Sequence, residues 1–210
     1  MDPNATTPPP TSAGLPDDGL TTRERRLRPA LIVNTGEGKG KTTAAMGLAL
    51  RAWHQGWSIG VFQFIKSGRW VSGERIALET LGAEHQRTGA GGEVCWFATG
   101  AGRRWVQDPD AEPAQVDAAR NAWQEVKQRL AAQRHRLYVL DEFTYPVNRG
   151  WLDLAEVVET LRDRPGVQHL VVTGRAAPPE LTEIATTVTE MTKRKHPFDT
   201  GQKGQAGIEW

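Results

Sequence analysis

Residues 36–43 read Gly36-Glu37-Gly38-Lys39-Gly40-Lys41-Thr42-Thr43, and no other stretch is so specific in the chemistry it could do. Closely spaced glycines let backbone N–H groups turn inward on an anion. A helix starting directly after them adds unpaired N–H donors and the positive end of its dipole. Lys41 is placed to reach phosphate oxygens, and Thr42 to offer its hydroxyl to Mg²⁺. The common phosphate-loop pattern has a glycine five residues before Gly40, where this chain has Thr35, and Lys39 is an additional lysine. The competing explanation is a glycine turn that merely precedes a helix. An apolar run on one side (Leu31-Ile-Val) and a helical pattern on the other favour the phosphate loop.

Other residues gain meaning from that loop. Asp141 and Glu142 close the apolar run Leu137-Tyr-Val-Leu140. In a parallel α/β sheet, ligands sit at the carboxyl ends of the strands. That rule brings both acids beside Thr42, where Asp141 and Glu142 could hold a metal ion directly or through water. An acid pair on the surface is the alternative. By the same rule Arg175, after Val171-Val-Thr-Gly174, faces the site with a guanidinium suited to phosphate or carboxylate. A surface arginine fits that spacing nearly as well. Gln63 and Lys66, closing Phe62-Gln-Phe-Ile-Lys66, should also point there.

The elements that must position these groups follow from periodicity. Strands are expected over 30–34, 58–65, 83–88, 137–140, 168–173 and 187–191. Helices are expected over 42–55, 73–81 (stopped by Gly82), 113–133, 154–161 behind the N-cap Asp153, and 178–185. Residues 89–109 read as an irregular glycine-rich loop carrying Cys95, Trp96, Phe97, Arg103, Arg104 and Trp105. Alternation of strands and helices implies an α/β fold, a mostly parallel sheet with helices on both faces. Residues 1–28 read as a flexible Pro/Thr-rich tail and an arginine-rich arm, and 29–210 as one domain.

Composition narrows the partners. The 210 residues carry 26 Lys and Arg against 25 Asp and Glu, a formal charge of +1, which gives no general attraction to nucleic acid or anionic membrane. The single cysteine forms no intrachain disulfide and suits a reducing cytoplasm. No apolar run approaches the ~18 residues of a bilayer span, and the first residues lack the apolar core of a secretory signal. The 8 tryptophans are either core packing or, in part, the lining of a site for a large flat ligand.

Taken together, five segments resemble one family, the P-loop ATP:cob(I)alamin (corrinoid) adenosyltransferases. They are Thr35-Gly-Glu-Gly-Lys-Gly-Lys-Thr-Thr43; Val61-Phe-Gln-Phe-Ile-Lys66 with Gly73-Glu74; Leu140-Asp-Glu142 with Tyr145; Val172-Thr-Gly-Arg175 with Ala177-Pro178; and Lys195-His-Pro-Phe198 with Gly207-Ile-Glu209. They run from about Ala30 to Trp210. The resemblance implies a RecA-like P-loop fold. It also implies transfer of the 5′-deoxyadenosyl group of ATP to the Co(I) of a corrinoid (cobalamin, cobinamide or cobyrinic acid a,c-diamide), with release of triphosphate, in adenosylcobalamin biosynthesis or salvage. ATP lies reversed in the loop in that family, which gives Thr35 a meaning.

Further roles rest on the same likeness. Lys41, Lys39 and the loop N–H groups would neutralise the leaving triphosphate, with Mg²⁺ or Mn²⁺ held by Thr42 and Glu142. A homodimer and an electron-donating flavoprotein partner are implied too. Relatives carry Gly-Phe-Thr-Trp where this chain has Val94-Cys95-Trp96-Phe97, so the aromatic displacement of the corrinoid's lower ligand falls to Phe97 or Trp96. The pair Thr186-Thr187 replaces an expected acid. Three alternatives stand beside this reading: a small-molecule P-loop kinase or NTPase, a RecA-like nucleic-acid-binding ATPase, and a non-catalytic nucleotide-binding chaperone of corrinoid enzymes.

Overall fold

The computed structural model describes residues 19–67, 71–100 and 112–208. The expectations for residues 1–18, Trp70, Arg103, Arg104, Trp105, Glu209 and Trp210 lie outside the described residues. In chain order the elements are α1 (Thr22–Arg26), β1 (Leu31–Thr35), α2 (Lys41–His54), β2 (Ile59–Ser67), α3 (Gly73–Thr88), β3 (Val94–Gly100), α4 (Glu112–Ala131), β4 (Leu137–Asp141), α5 (Thr144–Asn148), α6 (Leu154–Arg162), β5 (His169–Thr173), α7 (Pro179–Glu183) and β6 (Thr187–Glu190). A 3₁₀ turn follows at Pro197–Thr200.

The six strands form one parallel sheet in the order β3-β2-β4-β5-β1-β6. Steps from β1 to β2 to β3 run one way across it and pass through α2 and α3. Steps from β3 to β4, β5 and β6 run back through α4, α6 and α7. A right-handed crossover puts helices of opposite travel on opposite faces, and the core divides accordingly. On one face Ala45, Met46, Ala49 and Ala52 of α2 and Leu78 of α3 pack on Val61, Leu137, Val139 and Val171. On the other, Trp123, Val126 and Leu130 of α4, Val157 and Leu161 of α6 and Leu181 of α7 pack on Phe62, Tyr138, Leu140, Leu170 and Val172. Covered on both faces, β4 is buried at every position, which is why it reads as an unbroken apolar run.

Two expected elements change. Residues 83–88 belong to α3, which runs on to Thr88 and ends at Gly89. Gly82 is no stop: a Cβ there would meet Val94 at 3.2 Å, so the missing side chain lets α3 lie close on β3. Residues 94–100, expected as irregular loop, form β3, paired with β2 from Ile59↔Val94 to Gln63↔Ala98. An edge strand is stabilised by a partner distant in sequence, which local pattern does not reveal. The short α5, which carries Pro146, was not among the expected helices. In the first turn of a helix the missing N–H of a proline costs nothing. The arm before β1 holds a helix closed by a capping box between Thr21 and Glu24.

Candidate active site

The loop between β1 and α2 is shaped by what lies against it. Gly40 takes φ 109° and caps α2, a conformation that favours glycine. Gly36 and Gly38 both press on the backbone after β6: a Cβ on either would stand 2.6 Å from the Met191 carbonyl oxygen. That carbonyl accepts the Gly38 N–H at 2.5 Å, and the Met191 N–H donates to Thr35 O at 2.8 Å. Thr35, at the unusual position, accepts the Ala177 N–H on its hydroxyl at 3.0 Å. It therefore ties the segment after β5 to the loop, which a glycine could not do.

Inside the loop, the Lys41 ammonium donates to Gly36 O and Gly38 O, each at 2.7 Å. Burial and the nearby Arg175 guanidinium lower its pKa, while Glu142 and Glu37 act to raise it. Arg175 reaches Glu37 at 3.0 Å, an exposed pair at the rim. Lys39, Thr43 and Lys66 also line this cleft of about 260 Å³, with Glu74, Glu142, His196 and Ile208.

Asp141 lies beneath the cleft, with 0% exposure. Its Oδ1 accepts from the Thr42 hydroxyl at 2.7 Å and the Thr173 hydroxyl at 2.8 Å. Its Oδ2 accepts from the buried Gln63 amide at 3.1 Å and lies 3.9 Å from the Lys66 ammonium. The carboxylate thus locks the start of α2 to β2 and β5. The chain turns sharply at the next residue. Glu142 takes φ 57° and its N–H donates to the Thr173 hydroxyl at 2.9 Å, so Glu142 lines the cleft while Asp141 stays beneath it.

The sheet thus brings together the loop, Gln63, Lys66, Asp141, Glu142 and Arg175, as the strand-end rule requires. It does not bring Trp96 and Phe97 to the same cleft. Phe97 stacks on Phe62 at 4.6 Å, under the Arg129 guanidinium at 4.5 Å. Trp96 packs on the opposite face of the sheet, its indole N–H buried with no partner among the described residues. Trp123 and Trp151 are core residues. Sequence reasoning missed Thr173, Glu74, His196 and Ile208. All four stand inside quoted motifs, but the position of Ile208 at the cleft depends on how the C-terminal segment folds back.

Chemically, the cleft is a cationic cradle for a polyanion. The Thr42 hydroxyl and the Glu142 carboxylate are hard oxygen donors that suit Mg²⁺ or Mn²⁺. Among the described residues no three or more His, Cys, Asp or Glu side chains gather to hold a metal. A cation here would need phosphate oxygens to complete its shell, as Mg²⁺ commonly does in nucleotide sites.

Comparison with known proteins agrees with this chemistry. A family model described as ATP:corrinoid adenosyltransferase BtuR/CobO/CobP matches residues 28–210. A corrinoid adenosyltransferase of Escherichia coli K12 is 42% identical over 193 residues, covering 92% of this chain and 91% of that protein. One from Salmonella typhimurium LT2 is 40% identical with the same coverage. One from Pseudomonas aeruginosa is 38% identical, covering 92% of this chain and 89% of its own.

Proposed function

This chain belongs to the ATP:corrinoid adenosyltransferase family, and from that membership we propose how its own residues carry out the transfer. The protein is an enzyme of cobalamin biosynthesis that moves the adenosyl group of ATP to a corrinoid. The reduced corrinoid is the nucleophile: its Co(I) electron pair forms the bond to C5′ of the ribose. The C5′–O bond breaks, its electrons leave with triphosphate, and the cobalt ends as Co(III). No side chain has to remove a proton.

The enzyme's work is then orientation and charge. Lys41, Lys39, Lys66 and Arg175 offset the charge that builds on the leaving triphosphate, and Gly36, Glu37, Gly38, Gly40 and Thr43 shape its seat. A bound Mg²⁺ or Mn²⁺ would act as a Lewis acid on phosphate oxygens, held by Thr42 and Glu142. Asp141 acts through Thr42 rather than on the cation, since its oxygens are buried and already accept hydrogen bonds. The supporting observation is the Thr42–Asp141 bond, which fixes the α2 hydroxyl in the cleft that Glu142 also lines.

Trp96 and Phe97 remain the aromatic candidates for displacing the corrinoid's lower ligand. A homodimer, a flavoprotein that reduces the cobalt and a cytoplasmic location complete the reading. No helix among the described residues is long and apolar enough to cross a membrane. The test is to mix the protein with ATP, Mg²⁺ and a chemically reduced corrinoid. The adenosylated corrinoid spectrum and stoichiometric triphosphate are expected. ADP or orthophosphate would point to a kinase or NTPase, and no product would refute the proposal.

A further inference from the structure

Thr173 ends β5 and is 1% exposed. Its hydroxyl does two things at once. It donates to Asp141 Oδ1 at 2.8 Å and accepts the Glu142 N–H at 2.9 Å. The bond between those two acids is where the chain turns from the buried strand into the cleft, with Glu142 at φ 57°. A residue with a side chain is disfavoured in that conformation by about 1 kcal/mol or more and persists only where its surroundings hold it. Two further contacts lie where β5 ends: the Phe143 N–H donates to Thr173 O at 2.9 Å, and Gly174, the next residue, takes φ 147° against the Thr144 hydroxyl.

We propose that Thr173 is a positioning residue for the transfer: its hydroxyl holds the Asp141–Glu142 turn so that Glu142 presents its carboxylate beside the Thr42 hydroxyl, and so sets the affinity for a divalent cation–ATP complex. This rests on the adenosyltransferase reading for the reaction served, but not for the binding effect. Removing the hydroxyl frees the Glu142 N–H and one Asp141 lone pair together. Partners that orient metal ligands typically cost 10–100-fold in metal affinity or activity when lost.

The test compares Thr173→Val, close in shape, with Thr173→Ser, which keeps the hydroxyl; Thr173→Ala is a second hydroxyl-free variant should valine fail to fold. Binding of Mn²⁺ in the presence of ATP is followed by electron paramagnetic resonance, and ATP affinity is measured with and without the cation. Thr173→Val should weaken Mn²⁺–ATP about 10-fold or more and lower kcat, with metal-free ATP affinity within about twofold of wild type, and Thr173→Ser should recover most of the loss. The proposal is overturned if the valine variant binds Mn²⁺–ATP normally, if metal-free ATP affinity falls equally, or if serine fails to rescue. Because the binding arm involves no corrinoid, failed adenosyl transfer by the wild type would refute the reaction and leave the positioning role separately decided.

Discussion

At the scale of single residues, Asp141 shows how a buried charge becomes useful. Its two oxygens accept from Thr42, Thr173 and Gln63, with the Lys66 ammonium 3.9 Å from Oδ2, so protein groups take the place of most of its water. Asp141→Ala should leave the Thr173 hydroxyl and the Gln63 amide without their acceptor in a dry floor. Each orphaned group costs about 1–3 kcal/mol, so urea denaturation should show a loss of about 2–6 kcal/mol for the two together. ATP-dependent activity should fall more than stability alone explains, because Thr42 loses its fixed rotamer. A variant with wild-type metal dependence would contradict the anchoring role. The motif Leu140-Asp-Glu142 was readable as an acidic strand end, but the division of labour between its acids was not. That division depends on a hydroxyl from β5 and on a left-handed turn, neither of which has a local signature.

At the scale of elements, β3 has the clearest consequences. Its residues look irregular locally and become a strand only when β2 supplies the partner. The Phe97 ring is held between Phe62 and Arg129 on the α4 side. Phe97→Ala should cost roughly 3 kcal/mol or less, since fully buried phenylalanines lose ~3–5 on truncation and this one is half-buried. If Phe97 also meets the corrinoid, Phe97→Leu should restore the denaturation midpoint without restoring corrinoid turnover, and both variants should keep wild-type ATP affinity. Turnover that simply tracks stability would assign Phe97 to packing alone. The long regular elements α2, α4 and β4 were legible because their burial is periodic or complete. The end of α3 was misread because Gly82 serves close helix–strand packing, a tertiary cause that resembles a stop signal.

At the scale of the whole molecule, the two ends of the sheet are built differently. The carboxyl end holds an open, lysine- and arginine-lined cleft, while the opposite end buries a neutral histidine. His135 is 1% exposed, lies over Gly60, and meets Tyr138 edge-on at 5.2 Å. Burial, with Arg129 and Arg134 nearby, pushes its pKa down from 6.5 to about 4. The folded state therefore binds this proton less readily than the unfolded chain. Its contribution to stability is fully present above pH 6.5 and is lost as pH falls from there toward 4, roughly 3 kcal/mol in all. Burial also lowers the His169 pKa, with Arg136 and Arg164 adding to it, so the two act in the same sense. Urea midpoints measured between pH 7 and pH 4.5 should decline, and His135→Leu should flatten much of that slope. An unchanged slope would show that the ring titrates elsewhere.

The contact of Gly36 and Gly38 with the Met191 carbonyl bears on how the protein is made. Strand β1 lies between β5 and β6, so both of its neighbours are translated long after it. Chains emerge from the N-terminus at ~5–20 residues per second. The nucleotide seat is translated early, yet it cannot take its final shape until the polypeptide has grown past Met191. A nascent chain that has not yet reached Met191 lacks the carbonyl against which Gly36 and Gly38 are seated, so it should hold ATP less well than one in which β6 has joined the sheet.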